Sequence, residues 1–151
     1  MKVNKMKVNF KKLNPNAVVP TYGSEFSAGA DLYALTGGEV VTFAPGDTKL
    51  IKTGIAMEIP EGYAGLIYAR SGIANKRGLA PSNKVGVVDS DYRGEIMVSL
   101  HNHSNEEQSI TDGERIAQMV IAPFLTVEYT EVDELTDTAR GEGGFGSTGK
   151  K

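Results

Sequence analysis

The chain contains no cysteine and no tryptophan. Without cysteine the fold cannot depend on disulfides, a zinc site with thiolate ligands is excluded, and no thiol nucleophile can take part in catalysis. The N-terminus carries Lys2, Lys5 and Lys7 but no apolar stretch of the kind that a signal peptide needs. A cysteine-free chain suits a reducing compartment, so we expect a cytoplasmic protein.

Basic charge and long apolar runs are also scarce. The 151 residues include 16 basic and 19 acidic side chains, for a formal net charge of −3. A protein that coats nucleic acid needs a large basic excess to neutralise phosphates, so we expect no nucleic-acid partner. The longest apolar run, from Met119 to Leu125, contains Pro123 and is far shorter than the roughly 20 residues of a membrane helix. We therefore expect no membrane partner either.

Glycine is abundant, and it predicts an all-β fold. Eighteen glycines and six prolines separate short runs rich in Val, Ile, Tyr and Thr, and no capped stretch keeps a helical period over several turns. The predicted strands cover residues 8–11, 29–34, 40–43, 48–58, 64–69, 84–88, 96–102, 115–123 and 126–131, with one helical turn at 71–76 that Ser71 could cap. Strands of this length and spacing are typical of a jelly-roll-like β barrel in one domain.

The chain is predicted to divide at residue 135. Residues 1–135 form the β-barrel domain, whereas residues 136–151 are rich in glycine and have Phe145 as their one large apolar side chain. Such a segment cannot bury enough surface to order itself, so we expect a flexible arm that closes over the active site when ligand binds. Its guanidinium, backbone amides, hydroxyls and aromatic ring could clamp phosphate and stack on a base. A plain linker would have no use for an exposed aromatic.

The segment from Gly86 to Ile96 is predicted to be a hairpin that carries chemistry. Two valines are followed by Asp-Ser-Asp, a tyrosine and a glycine, and the strand resumes at Ile96. A turn requires one Asp or Asn and a glycine, so the second carboxylate and the tyrosine go beyond what a turn needs. From these residues alone, a decorated turn remains an equally good interpretation.

Three other segments hold candidate ligands. The run Ala69-Arg70-Ser71-Gly72 offers a forked cation, a hydroxyl and open backbone to a polyphosphate, although a strand end followed by a helix cap would look the same. Asp31 lies among small residues on a predicted strand and needs a cation, either Arg70 or magnesium through water. Gln118 is the only amide in the most apolar strand, and structural hydrogen bonding and ligand contact are both open.

Read in order, these segments resemble the five motifs of the trimeric deoxyuridine triphosphatase (dUTPase) family. The matching runs are AGADLYA from Ala28, ARSGIA from Ala69, GVVDSDYRGEI from Gly86, GERIAQMVI from Gly113 and RGEGGFGSTG from Arg140. The resemblance implies a jelly-roll-like barrel, a homotrimer with sites shared between subunits, and Mg²⁺-assisted hydrolysis of dUTP to dUMP and pyrophosphate. This reaction would limit uracil incorporation into DNA and supply dUMP for thymidylate synthesis.

The resemblance also implies residue roles. Asp89 would deprotonate the attacking water, Gln118 would contact that water and the α-phosphate, and Asp31 would hold magnesium through water. The implied substrate contacts are Arg70, Ser71 and Gly72 at the phosphates, Asn83, Gly86 and Met97 at uracil, Tyr92 at deoxyribose, Arg140, Gly146, Ser147 and Thr148 at the γ end, and Phe145 stacked over uracil. Asp91 is interpreted as a structural turn residue, and His101 and His103 as polar residues at a strand end.

Two other functions are considered. A dCTP deaminase would share the barrel, but Ser99 stands where that enzyme would carry its catalytic glutamate. A nucleotide-sensitive regulatory protein could use ordering of the tail to bind an unidentified protein partner. The intact set of Asp89, Gln118 and Arg140 favours the hydrolase.

Overall fold

The computed structural model describes residues 5–149, which form twelve short strands and one helix. The strands are β1 Asn9–Lys12, β2 Thr21–Tyr22, β3 Ala30–Tyr33, β4 Val41–Phe43, β5 Thr48–Lys52, β6 Ile55–Glu58, β7 Tyr63–Tyr68, β8 Leu79–Pro81, β9 Gly86–Val88, β10 Met97–Asn102, β11 Gln108–Ile110 and β12 Arg115–Pro123. The helix, α1, covers Ser71–Arg77 and lies between β7 and β8. The all-β prediction is confirmed.

The strands pair antiparallel in four sheets. The largest has the order β2-β3-β12-β7-β9, the second has the order β5-β10-β8, and the pairs β1-β6 and β11-β4 complete the set. These hydrogen-bonded ladders stay open among the described residues, so the sheets surround a shared core without joining into one closed ring. This arrangement fits the predicted jelly-roll-like fold.

One hydrophobic core joins all four sheets. Its fully buried side chains include Leu32 of β3, Phe43 of β4, Leu100 of β10 and Ile116 of β12. Alternation along β10 shows how the sequence produces this core, because successive side chains of a strand point to opposite faces. Val98, Leu100 and Asn102 are buried, whereas the residues between them are half-buried. The same alternation turns Met97 and Ser99 away from the core.

The long strand predicted at 48–58 is two strands, β5 and β6, separated by Thr53 and Gly54. Gly54 has a φ of +70°, and a Cβ there would lie 2.6 Å from Leu35 Cδ2 and 2.8 Å from Ala17 Cβ. Only glycine fits this corner without strain. The prediction missed β2, β8 and β11 because strands of two or three residues are too short to show a period.

The strand predicted at 126–131 is wrong. The chain leaves β12 after Pro123 and continues without a strand, with Leu125 89% and Tyr129 93% exposed. A strand forms where a neighbouring strand completes its hydrogen bonds, and no described strand of this chain pairs with this segment.

Residues 136–149 form turns, and Phe145 is fully exposed. The flexible arm and the division at residue 135 stay predictions, and the ends of the predicted ranges, residues 1–4 and 150–151, lie outside the described part. No helix within residues 5–149 has the length and apolar character needed to cross a membrane.

Candidate active site

A cavity of about 240 Å³ opens between β9, the turn that follows it and β10. Five predicted site residues line it together: Asn83, Gly86, Asp89, Tyr92 and Met97. Its walls are completed by apolar side chains such as Ile67 and Ile96 and by Glu95 and Ser99. A carboxylate, an amide and an aromatic ring thus converge on a small, partly apolar space, which is typical of a small-molecule site.

The predicted hairpin is wrong, because β9 pairs with β7 whereas β10 pairs with β5 and β8 in another sheet. The turn that carries Asp89 therefore joins two sheets, and local hydrogen bonds hold it. Tyr92 N donates to Asp89 O at 3.2 Å, and Arg93 Nη1 donates to Ser90 O at 2.7 Å. Asp89 is exposed at this turn, where water can reach its carboxylate. Asp91 is also exposed but does not line the cavity, which agrees with the interpretation of Asp91 as a turn residue.

The other wall of the cavity is shaped by a tight bend between β8 and β9. Lys84 has a φ of +66°, in the left-handed region that turns use, and Val85 N donates to Asn83 O at 2.7 Å. A Cβ at Gly86 would lie 3.1 Å from Ile67 Cβ and 3.3 Å from Asn83 Nδ2. Glycine at position 86 therefore leaves room for the Asn83 amide.

A second cluster forms around Asp31, at the end of the five-stranded sheet opposite to Asp89. Asp31 Oδ1 accepts from Arg70 Nε at 2.7 Å, and Asp31 Oδ2 lies 3.4 Å from Arg115 Nη1. Of the two cations considered for Asp31, Arg70 or magnesium through water, the structure places Arg70 in contact with it. Arg115 was missed because its partner is distant in sequence, although its position three residues before Gln118 was a signal.

Gln118 is fixed between β3 and β7. It is paired with Asp31 on one side and with Tyr68 on the other, and its Nε2 donates to Ala69 O at 2.9 Å. Gly29 lies directly beneath the amide, since a Cβ at position 29 would lie 3.0 Å from Gln118 Cδ. The small residue in the first motif thus makes space for the glutamine of the fourth.

Ser71 and Gly72 begin α1 and are exposed beside this cluster. The N-cap is Arg70 and no side chain caps the helix, so the expectation that Ser71 is a cap is wrong and its hydroxyl is free of that role. The far end of α1 is held by Arg77, which donates to Glu114 and to Ser109 O.

The strand register separates Asp89 from the Arg70 cluster. On β7, Gly65 pairs with Val88, so Asp89 follows at the end of β7 that begins with Tyr63, whereas Arg70 follows the other end. The strand has 6 residues, which at ~3.3 Å each places the backbones of Asp89 and Arg70 roughly 20 Å apart. Within one chain the two residues do not share a cavity.

The predicted tail residues form a third group. Arg140 Nε donates to Gly143 O at 2.7 Å, and Ser147 N donates to Gly144 O at 2.9 Å. Phe145, Gly146, Ser147 and Thr148 are exposed and line neither the cavity nor the Asp31 cluster. His101 Nδ1 lies 2.9 Å from Thr48 Oγ1, and residues 5–149 hold no group of three or more side chains able to cage a metal ion.

Comparison with known proteins identifies the family. A sequence model described as dUTPase matches residues 15–149. The chain belongs to the dUTPase family. The deoxyuridine 5′-triphosphate nucleotidohydrolase of Nautilia profundicola is 54% identical over 145 residues, which are 96% of this chain and 100% of that protein. The corresponding protein of Hydrogenobaculum sp. is 49% identical over 97% of this chain and 100% of its own length.

Solved dUTPase structures share the fold. The dUTPase of Staphylococcus bacteriophage 80alpha, solved with dUpNHpp, is 31% identical with a TM-score of 0.86, and the match covers 96% of this chain and 99% of that one. A mutant dUTPase from phage phi11 of S. aureus, described as coordinating a structural Mg(II) ion, is 26% identical with a TM-score of 0.78 over 87% of this chain and 100% of that one.

The contact between Gly29 and Gln118 gives a testable prediction. Gly29→Ala should turn the Gln118 amide away from Ala69 O and lower the free energy of unfolding by about 1–3 kcal/mol, the usual effect of overpacking. A crystal structure and urea unfolding of the variant would measure both effects. Gly23→Ala is the matched control, because the nearest atom to a Cβ there is 3.9 Å away. Equal behaviour of the two variants would contradict the prediction.

Proposed function

We propose that this dUTPase-family chain hydrolyses dUTP to dUMP and pyrophosphate, with water attacking the α-phosphate. The observation that carries the proposal is the cavity in which Asp89, Asn83 and Tyr92 converge. At about 240 Å³ it is smaller than the roughly 300–1,000 Å³ of pockets for drug-sized ligands, which suits a nucleoside whose phosphates extend outside. The names of the relatives and the dUpNHpp ligand of the phage structure support the same substrate.

Selectivity for dUTP would come from contacts to both the uracil base and the deoxyribose. The Asn83 amide and the backbone near Gly86 and Met97 can pair with uracil, and the Tyr92 ring would occupy the space that a ribose 2′-hydroxyl needs. Cytosine presents reversed donors and acceptors, and a site that leaves buried polar groups unpaired rejects such an analogue by up to about 10⁴-fold. Thymine would be excluded by the apolar wall at its methyl group.

Asp89 is assigned to water activation and Gln118 to holding the water and the α-phosphate. A fixed, exposed carboxylate can accept the proton of an attacking water without a covalent intermediate. Arg70, Ser71 and Gly72 would bind the phosphate chain, because a guanidinium fork, a hydroxyl and open backbone amides all donate to phosphate oxygens. From the tail, Arg140, Gly146, Ser147 and Thr148 would close on the γ end, with Phe145 over uracil.

The residues present fit Mg²⁺ carried by the substrate. Magnesium keeps several waters and is usually bound by one or two carboxylates together with substrate phosphates, rather than by an all-protein cage. Asp31 is a lone carboxylate beside the proposed phosphate site and could hold one of those waters. Bound there, the ion would neutralise charge on the triphosphate. The Mg(II) ion of the phi11 protein shows that a relative binds this metal.

The separation of Asp89 from Arg70 supports a homotrimer with shared sites. Both side chains must reach the same triphosphate, but within one chain their backbones lie roughly 20 Å apart along a strand of 6 residues. A site that uses both can be completed by a second copy of the chain. The absence of cysteine suits a reducing compartment, and we place the enzyme in the cytoplasm.

The deaminase alternative is less well supported. Its glutamate would have to stand at position 99, where Ser99 Oγ lies 2.8 Å from Ser82 Oγ. Measuring pyrophosphate and ammonia release from dUTP, dCTP, dTTP and UTP with magnesium would separate the functions. Pyrophosphate from dUTP alone supports the hydrolase; ammonia from dCTP, or no product from any nucleotide, would overturn it.

Asp89→Asn should retain dUTP affinity and lower turnover by ~100-fold or more, because the amide cannot accept the proton of the water. Steady-state pyrophosphate release and calorimetric binding would measure the two quantities. Asp91→Asn is the matched control, since Asp91 lies in the same turn outside the cavity. Near-normal turnover of Asp89→Asn would remove Asp89 from the mechanism.

Shared sites predict complementation between two inactive variants. Asp89→Asn and Arg70→Gln chains, unfolded together in equal amounts and refolded, should recover about a quarter of the wild-type activity, because that fraction of sites draws both intact residues from different chains. The same proteins mixed without unfolding are the control. If wild-type protein survives the procedure but the mixture recovers nothing, the sites are not shared between these residues.

Removal of the tail after Thr138 should leave a folded trimer that hydrolyses dUTP poorly, because the proposed γ-phosphate and uracil contacts are lost. Sedimentation, thermal unfolding and pyrophosphate release would be compared with those of the full chain. A truncated protein that aggregates or unfolds would mean that the tail is structural, and one with full activity would mean that it takes no part in binding.

A further inference from the structure

The Tyr92 ring is fixed by the backbone of the residues that follow it. Its hydroxyl donates to Glu95 O at 2.9 Å. The ring also lies directly over Gly94, where a Cβ would come within 2.5 Å of the Tyr92 hydroxyl oxygen and 2.6 Å of Cζ. Because the hydroxyl donates to a main-chain carbonyl, a shift of the backbone at Glu95 would disturb the hydrogen bond that holds the ring.

That backbone is in turn held by the corner between β5 and β6. Glu95 Oε2 accepts from Gly54 N at 3.1 Å, and Ile96 N donates to Ile55 O at 2.8 Å. The hydroxyl of Thr53, which is 1% exposed, donates to Ile96 O at 2.5 Å. Three hydrogen bonds therefore join the corner to the wall of the cavity. We call these residues, 53–55 and 95–96, the brace.

The backbone conformation of the corner between β5 and β6 is fixed by packing and by a further hydrogen bond. Gly54 can take no side chain because Leu35 and Ala17 occupy the space, and its carbonyl accepts from Leu13 N at 2.8 Å. Its N–H lies where β5 has ended and β6 has not begun, so it lacks a ladder partner, and a partly buried amide needs an acceptor. A carboxylate makes the strongest one.

A carboxylate is otherwise unfavourable at this position. Glu95 and Asp89 both line the cavity, and the triphosphate of the proposed substrate would extend from it. Like charges close together repel, so a negative side chain here works against substrate binding unless it has another task. The hydrogen bond that Glu95 accepts from Gly54 N explains why a carboxylate stands at this position.

We infer that Glu95 is a positioning residue for sugar selection, because its bond to Gly54 fixes the carbonyl that holds the Tyr92 ring against the deoxyribose. The inference rests on the proposed function in its choice of ligand. Without the bond, the ring gains freedom to move and make room for a 2′-hydroxyl. Loss of the bond should therefore act on the choice between deoxyribose and ribose more than on turnover of the deoxyribonucleotide.

The test compares Glu95→Met, which keeps the length but has no acceptor, with Glu95→Gln, whose amide oxygen can still accept from Gly54 N. The Met variant should lower the ratio of kcat/KM for dUTP to that for UTP by about 10-fold or more, mainly through faster use of UTP. The Gln variant should stay within about threefold of wild type. A merely structural residue would lower both substrates together, and an unchanged ratio in Glu95→Met overturns the inference.

A second pair keeps the test decisive if Glu95→Met does not fold. Thr53 does not line the cavity, and its hydroxyl donates to Ile96 O. Thr53→Val removes this hydroxyl, whereas Thr53→Ser keeps it. The Val variant should lower the sugar ratio and the Ser variant should not. An unchanged ratio in Thr53→Val would contradict the brace.

Measurements of nucleotide binding distinguish a failure of this inference from a failure of the proposed function. Calorimetric affinities for dUMP and UMP report sugar selection without any hydrolysis. If the wild-type protein prefers dUMP but hydrolyses no dUTP, the proposed reaction fails while the brace can be tested on affinities alone. If the wild-type protein hydrolyses dUTP and Glu95→Met keeps both the kcat/KM ratio of dUTP to UTP and the affinity ratio of dUMP to UMP, the inference fails while the proposed function stands. A wild-type protein that does not distinguish dUMP from UMP overturns the inference.

Discussion

The position of β12 in the five-stranded sheet is the constraint on which the site depends. β12 pairs with β3 on one side and β7 on the other, so Gln118 stands between Asp31 and Tyr68. Three segments far apart in sequence are thereby brought to one place, and Arg70 follows directly from the end of β7. The same β7 carries β9 on its other edge, in a register that sends Asp89 to the opposite end. The pairings of one sheet thus both assemble the Asp31 cluster and separate it from the cavity.

The ion pairs of the Asp31 cluster orient the Arg70 side chain more than they stabilise the fold. A largely buried ion pair gains little net free energy, because desolvation offsets most of the Coulomb attraction. Asp31 has a side chain only 13% exposed and contacts two guanidinium groups, Arg70 through Nε and Arg115 through Nη1. Binding through Nε fixes the plane of the Arg70 fork, whose Nη1 also donates to Arg115 O at 3.5 Å, and leaves Nη2 to another acceptor. Two cations around one anion leave the cluster positive, which suits a phosphate.

Local patterns predicted the fold class and singled out residues such as Asp89 and Gln118, because turn chemistry and strand alternation act over a few positions. They also predicted a hairpin that does not form, since β9 and β10 pair in different sheets, and Asn83 and Met97 came from the family resemblance alone. Contacts between distant residues could not be predicted. Glu95 meets Gly54 across 41 positions and Arg115 meets Asp31 across 84, so no pattern within a few residues identifies the partner. The break between β5 and β6 likewise depends on Leu35 and Ala17, which close the space around Gly54.

The wrong strand at 126–131 has the same physical cause and bears on assembly. Its alternating apolar side chains, Val127 and Tyr129, carry a valid strand pattern, but no described strand of this chain pairs with them. β12 ends at Pro123, opposite Tyr63, which is the end of the sheet near Asp89 and away from the chain's own Arg70. From there residues 124–139 can span up to ~50 Å at ~3.3 Å each, enough to reach a second copy of the chain in the proposed assembly. A strand pattern without a partner in its own chain, leaving the sheet at that end, supports the proposal that sites are shared between copies, because it would let the tail reach a site on another copy.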